Sequence, residues 1–222
     1  MIREAKTSDL DAVSAVHIKC FPDSFSTALG AFKPKFREEG YLLSRFYSEY
    51  MKANPELFLV AENDSGEIVG FCMGYYCEKN DYIKRYFLNN KINIALRILT
   101  LLLRGNKQAW KKVAGVLKKG DPFETINYEI ADIDECKKGD LLSICVLPEY
   151  RGSGIAQQLI EKYHAVLKKS GRQVCILTVA TDNGRGIAFY ERNGYIPFRE
   201  AAGTARTYAK ILNEDKKHSY QT

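Results

Sequence analysis

The chain has 222 residues, 45% hydrophobic and 27% charged, with a formal net charge of +6. That balance excludes a collagen-like, rod-like or disordered chain, and the length suits one domain carrying an insertion better than two small ones. Three histidines and six scattered cysteines without a C-x-x-C pair argue against a metal cluster and for free thiols in a reducing compartment.

In chain order, Met1-Ile2-Arg3-Glu4-Ala5-Lys6 is charged and no apolar stretch follows, so no secretory signal is expected. Ile2 to Ala5 reads as a short strand. Thr7-Ser8-Asp9 offers N-caps for a helix carrying Leu10, Ala12, Val13, Val16 and His17, with Pro22 just past its end. Ser24 to Gly30 reads as a turn-rich patch with exposed aromatics. A second helix is predicted over Phe36 to Lys52, its apolar face built from Leu42, Leu43, Phe46, Tyr47 and Tyr50. Leu57 to Glu62 and Ile68 to Tyr76 read as strands of an antiparallel hairpin around the turn Asn63-Asp64-Ser65-Gly66.

Charge then concentrates. Between Lys79 and Lys119 stand eleven cations and the single acid Asp81, so the rest of the chain is net acidic. Helical stretches are predicted near Tyr82 to Leu103 and Gln108 to Leu117. The greasy run Ile92 to Leu103 is broken by Asn93, Arg97 and Thr100, short of the roughly 20 apolar residues a membrane span needs. A soluble, cytoplasmic protein is therefore expected. The basic segment admits several readings: a solvated helical hairpin capping the core, a lid over an anionic acceptor, an interfacial helix on an anionic membrane, or, more weakly, a nucleic-acid contact without a binding motif.

Leu141 to Val146 reads as a buried strand stopped by Pro148. The turn Arg151-Gly152-Ser153-Gly154 opens a helix with apolar residues at 155, 159, 160, 163, 166 and 167, ended by Gly171. Val174 to Val179 is another strand, and a helix follows from about Asn183 to Arg192, closed by Asn193-Gly194. Tyr195 to Phe198 and Arg206 to Ile211 finish the fold, and residues 214–222 form a charged tail.

The glycine-rich turn carries the chemistry. Gly152 and Gly154 let main-chain N–H groups approach a ligand, and the start of the helix adds partial positive charge. With Arg151 beside them, the expected guest is a phosphate or pyrophosphate. Gly152-x-Gly154-x-x-Gln157 lacks the third small residue of a dinucleotide site, and no G-x-x-x-x-G-K-[ST] occurs. A plain strand-to-helix turn is the competing reading.

The wider context decides between them. Val146, Pro148 and Tyr150, followed by Arg151, Gly154 and Ala156, resemble motif A of the GNAT superfamily of N-acetyltransferases. Asn183-Gly184-Arg185-Gly186-Ile187-Ala188-Phe189-Tyr190-Glu191-Arg192-Asn193-Gly194-Tyr195 resembles its motif B, with Gly186 where alanine is usual. The resemblance implies an α/β GNAT fold over residues 1–213: a mixed, mostly antiparallel central sheet flanked by helices, with a basic helical insertion at about 78–139.

It also implies a chemistry. Acetyl-CoA would be the cosubstrate, with no metal. Main-chain groups of Arg151, Gly152, Ser153, Gly154, Ile155 and Ala156 would cradle its pyrophosphate. Cys145 and Val146 would hold the pantetheine and thioester where the strands ending near 146 and 179 splay. Asn183 would touch the pantetheine arm, and Tyr190 would be the general acid, unless it merely packs the last helix. Cys145 reads better as a small core residue than as an acyl carrier. Many relatives place a carboxylate on the strand before motif A; here Leu142 and Ser143 stand there. Glu129, Asp140, His17 or a water chain are the candidates for the base, His17 doubling as a buried helix histidine.

The expected reaction is transfer of acetyl to a primary amine of a small-molecule acceptor, an amino sugar or nucleotide-linked sugar being candidates, with no nucleic acid involved. The patch His17 to Gly30 is loosely similar to bacterial members associated with cell-surface sugar biosynthesis, or is an ordinary helix connection. The alternative is a non-catalytic CoA-binding module that works through its basic arm on a partner or a membrane.

Overall fold

The computed structural model describes residues 1–30, 40–78, 81–107, 109–110, 124–125, 128–201 and 204–212. Its strands are β1 (Ile2–Glu4), β2 (Phe58–Glu62), β3 (Ile68–Tyr76), β4 (Glu124–Thr125), β5 (Lys138–Val146), β6 (Val174–Ala180), β7 (Ile196–Ala201) and β8 (Ala205–Ile211). Its helices are α1 (Leu10–Cys20), α2 (Phe25–Gly30), α3 (Tyr41–Ala53), α4 (Tyr82–Leu103), α5 (Tyr128–Ala131), α6 (Ile155–Lys169) and α7 (Gly184–Arg192). The strands form one sheet in the order β1-β2-β3-β5-β6-β8-β7-β4. Its neighbours pair antiparallel except β5 with β6, which run parallel. This is the mixed, mostly antiparallel sheet expected from the sequence.

The β2–β3 hairpin forms where its turn chemistry puts it. Asn63 Oδ1 accepts from the N–H groups of Ser65 (3.0 Å) and Glu67 (2.9 Å), and Gly66 supplies the left-handed residue. Both strands are nearly continuous apolar runs because both faces are covered, as burial of Phe58, Leu59, Val60, Phe71, Cys72 and Met73 shows. α1 and α6 pack on β3 and β5, burying Val13 and Val16 from the first and Leu159, Ile160, Tyr163 and Leu167 from the second. Tyr47, Phe58 and Phe71 stack edge-on in the same core.

Four expectations need correcting. Ser24 to Gly30 is not a turn-rich patch: Ser24 Oγ accepts from the Thr27 N–H at 3.0 Å and caps α2, which buries Thr27 and Leu29. α3 starts at Tyr41 rather than Phe36, since Gly40 at its N-terminus is left-handed; residues 36–39 lie outside the described part. β5 starts three residues before the expected Leu141, because Lys138-Gly139-Asp140 pair with β6. The stretch expected as a helical insertion holds α4 but also the edge strand β4, which pairs Glu124 with Glu200 and Thr125 with Arg199 of β7. Most of the expected helix at 108–117, and the tail at 214–222, lie outside the described residues.

The short pairing of β5 with β6 positions the candidate site. β5 and β6 pair only at Lys138–Val174, Gly139–Cys175 and Asp140–Ile176. Beyond Asp140 each stays bonded to its outer neighbour, β5 to β3 and β6 to β8, while no strand pairing joins the two. The sheet therefore opens into a V, with Asp140 and Ile176 at its closed end. Leu142 is the extra residue of a bulge opposite Met73 and Gly74, which re-aims the strand at this point.

Candidate active site

A cavity of about 610 Å³ fills the V. One wall is Leu142 to Val146 of β5; the other is Thr178 to Ala180 of β6. Main-chain groups along those two edges have no strand partner across the gap, so an extended ligand can add to either as a strand would. Cys20 and Phe21, from the end of α1, line the same space.

The glycine-rich turn forms the cavity's outer end. Arg151, Gly152, Gly154, Ile155 and Ala156 line it, whereas Ser153 does not: its hydroxyl turns back to donate to the Tyr150 carbonyl at 2.6 Å. Gly152 and Gly154 have φ of +82° and +83°, a region that disfavours any side chain. No protein atom lies within 4 Å of where a Cβ on Gly152 would stand, and the nearest to one on Gly154 is the Gln158 amide at 3.8 Å. The result is an open concavity of main-chain N–H groups at the start of α6, the shape and polarity an anion needs. Arg151 closes the turn through Nε, which donates to the Val146 carbonyl at 3.3 Å. The residues present thus fit a pyrophosphate.

α7 supplies the remaining wall through Asn183, Arg185, Gly186, Phe189, Tyr190 and Arg192. Asn183 Oδ1 caps this helix, accepting from the Gly186 N–H at 3.0 Å. A Cβ on residue 186 would lie 2.6 Å from Asn183 Nδ2, so the glycine that departs from motif B is the residue that leaves room for the cap. Tyr190 is partly buried between Phe189 and Tyr195. Burial, reinforced by nearby thiols, raises its phenol pKa, so it stays a proton donor through the physiological range.

The sequence candidates for a base separate here. His17 does not line the cavity: Nδ1 meets the Tyr47 hydroxyl, Nε2 the Ser26 hydroxyl at 3.1 Å, and burial holds the ring down to about 4. It is a neutral, satisfied core histidine. The side chain of Glu129 lies outside the described part. Asp140, at the closed end of the V, is pushed up to about 7 by burial, although the Tyr75 hydroxyl donates to it at 3.1 Å.

Sequence reading missed one group. Cys20 donates to the Val146 carbonyl at 3.4 Å, and its pKa falls to about 7 because the Cys145 thiol faces it and the Arg151 cation stands nearby. Nothing in the local sequence marks it, since both neighbours come from β5 and the turn after it. Cys145 is shifted the opposite way by burial, which keeps it a thiol. Among the described residues no group of three or more His, Cys, Asp or Glu side chains could hold a metal ion.

Comparison with known proteins agrees with the fold. A family profile described as an acetyltransferase (GNAT) domain matches residues 113–197. N-alpha-acetyltransferase 30 of Schizosaccharomyces pombe is 34% identical over 76 residues, which are 34% of this chain and 47% of that protein; the match spans about half of its length. Among solved structures, Naa20 of Chaetomium thermophilum in complex with a bisubstrate analogue superposes with a TM-score of 0.55 at 18% identity, covering 100% of this chain and 90% of the other. The PaiA N-acetyltransferase of Thermoplasma acidophilum in complex with coenzyme A does so with a TM-score of 0.52 at 18% identity, covering 95% and 98%.

Proposed function

We propose, from the premise that this chain belongs to the GNAT acetyltransferase family, that it transfers the acetyl group of acetyl-CoA to a primary amine. The observation that carries the reading is the β5–β6 pair opening beyond Asp140 onto a cavity that ends at the Gly152–Gly154 turn. The domain would take in residues 1–213.

Main-chain N–H groups of Gly152, Gly154, Ile155 and Ala156 would hold the pyrophosphate, with Arg151 keeping the turn closed. The open edge at Cys145 and Val146 would pair with the pantetheine arm, and Asn183 would meet that arm from α7. The cosubstrate supplies an acetyl thioester, whose sulfur leaves readily, so the chain's contribution is chiefly positioning. Tyr190 stays protonated and would give its proton to the departing sulfur. Asp140 has the pKa a base near neutrality requires, and because its carboxyl is off the cavity wall the amine's proton would reach it through water. Cys145, held as a thiol, is unsuited to carry the acyl group.

The favoured acceptor is a small amine such as an amino sugar or nucleotide-linked amino sugar. A second reading, a protein N-terminus, is supported by the similarity to an N-alpha-acetyltransferase. Calorimetry with acetyl-CoA and a thiol-release assay over amino sugars, their nucleotide-linked forms and short peptides with free N-termini would divide these. Binding without turnover on any amine would leave a CoA-binding module. Tyr190→Phe should lower kcat by about 10²-fold or more while leaving acetyl-CoA affinity within a few-fold; equal losses in both would remove its assigned role.

A further inference from the structure

Helix α4 is held on one side and bare on the other. Tyr82, Tyr86, Asn90, Ile94 and Leu101 recur at helical spacing and are buried, with Tyr86 and Ile94 packed against Leu29 of α2 and Leu42 of α3 and Tyr82 against Tyr50 of α3. Arg97 clamps the same side, donating through Nε and Nη2 to the Ala28 carbonyl at 2.9 and 2.7 Å. The rotation of the helix about its own axis is thereby fixed.

At about 100° per residue, Leu88, Ile92, Leu96, Leu99 and Leu103 then fall within an arc of about 80° on the far side. They are between 52% and 79% exposed, and Trp110, just past the helix, is 54% exposed. A helix that only faced water would carry charge along that line rather than five large aliphatic side chains.

Charge selects the occupant. Lys84 and Lys91 are exposed along one border of the stripe, and Arg104 and Lys107 are exposed beyond its end. Between Lys79 and Lys119 the sequence offers only Asp81 against eleven cations. A second copy of the chain would set these cations against one another. An anionic bilayer surface takes up both the aliphatic row and the cations around it. Among the described residues no helix is long and apolar enough to cross a membrane, so the geometry is that of a helix lying in the interface.

We propose that α4 docks the protein on an anionic lipid surface, with the Leu88–Leu103 stripe at the acyl boundary and Lys84, Lys91, Arg104 and Lys107 among the headgroup phosphates. The inference concerns a face that does not line the cavity, and it stands apart from the proposed transfer. The test is co-sedimentation of the full chain with vesicles of phosphatidylcholine alone and of phosphatidylcholine mixed with phosphatidylglycerol.

Binding to the mixed vesicles should be at least tenfold tighter than to the neutral ones and should weaken with added salt. Ile92→Glu, Leu96→Glu and Leu99→Glu together should reduce it at least tenfold with Tm unchanged, because all three side chains are exposed. Lys84→Glu with Lys91→Glu should weaken binding to the mixed vesicles only. The proposal is overturned by equal or absent partition into both vesicles, or by a triple variant that binds like the parent. A dimer in solution that the triple variant dissolves, without vesicle binding, would hand the stripe to a second copy instead.

Discussion

At the scale of single residues, the two least expected features are a glycine and a cysteine. Gly186 departs from motif B, and sequence alone gives it only a mild helix penalty. The structure supplies the reason, because Asn183 folds over the first turn of α7 and fills the space of a Cβ. Asn183→Ala in the native chain should therefore cost about 1 kcal/mol through the lost cap. In a Gly186→Ala background, where the methyl has already displaced the amide, the same change should cost close to nothing. Equal costs in both backgrounds, read from urea midpoints, would mean that cap and methyl coexist. Cys20 gives a second test. With its pKa near 7 it should be alkylated by iodoacetamide ahead of Cys136, which is exposed but raised by Asp134. Its rate should fall as pH drops below about 7, as the thiolate is lost. Coenzyme A should protect it, because Cys20 lines the cavity. Peptide mapping that finds Cys136 modified first at neutral pH would contradict the assignment.

At the scale of elements, what the sequence made legible is what short-range chemistry decides. The hairpin turn, the apolar row of α6 and the positive-φ glycines after β5 are local facts, and they were visible. The start of β5 was not, because Lys138 and Asp140 look like loop residues. Lys138 is buried only because Glu135 and the Ala131 carbonyl take up its ammonium at 2.9 and 3.3 Å and Phe198 lies over it. For the Gly152 turn, backbone strain and ligand contact can be separated with a control. Gly66 and Gly152 share nearly the same φ, +80° and +82°, and neither has an atom near its missing Cβ. Alanine at either should cost about 1–2 kcal/mol of stability. Only Gly152→Ala should also weaken coenzyme A, by about tenfold or more, measured by calorimetry. If Gly66→Ala weakens it equally, the loss reflects general destabilisation and the cradle reading fails.

At the scale of the whole molecule, the opening of the sheet was expected only through the family resemblance, since it depends on which strands find partners rather than on any strand's own residues. Its closed end also couples the site to stability through pH. His17 and His164 are held down by burial, to about 4 and about 3, from an ordinary 6.5. Asp140 is raised by burial to about 7 from 3.8. Between pH 4 and 6.5 the unfolded chain therefore carries a proton on each histidine that the native chain lacks, while the native chain carries one on Asp140 that the unfolded chain lacks. The difference is one proton in favour of the unfolded state, so stability should rise with pH across this window by about 1.4 kcal/mol per unit. Asp9, lowered by its Arg3 hydrogen bond, acts beneath the window. Asp140→Asn mimics the protonated carboxyl and removes the opposing term, so the slope should double. Urea unfolding midpoints of the two chains, followed across the window, decide it. Parallel curves would mean that Asp140 is already ionised in the native protein, and its candidacy as the base would lose its physical ground.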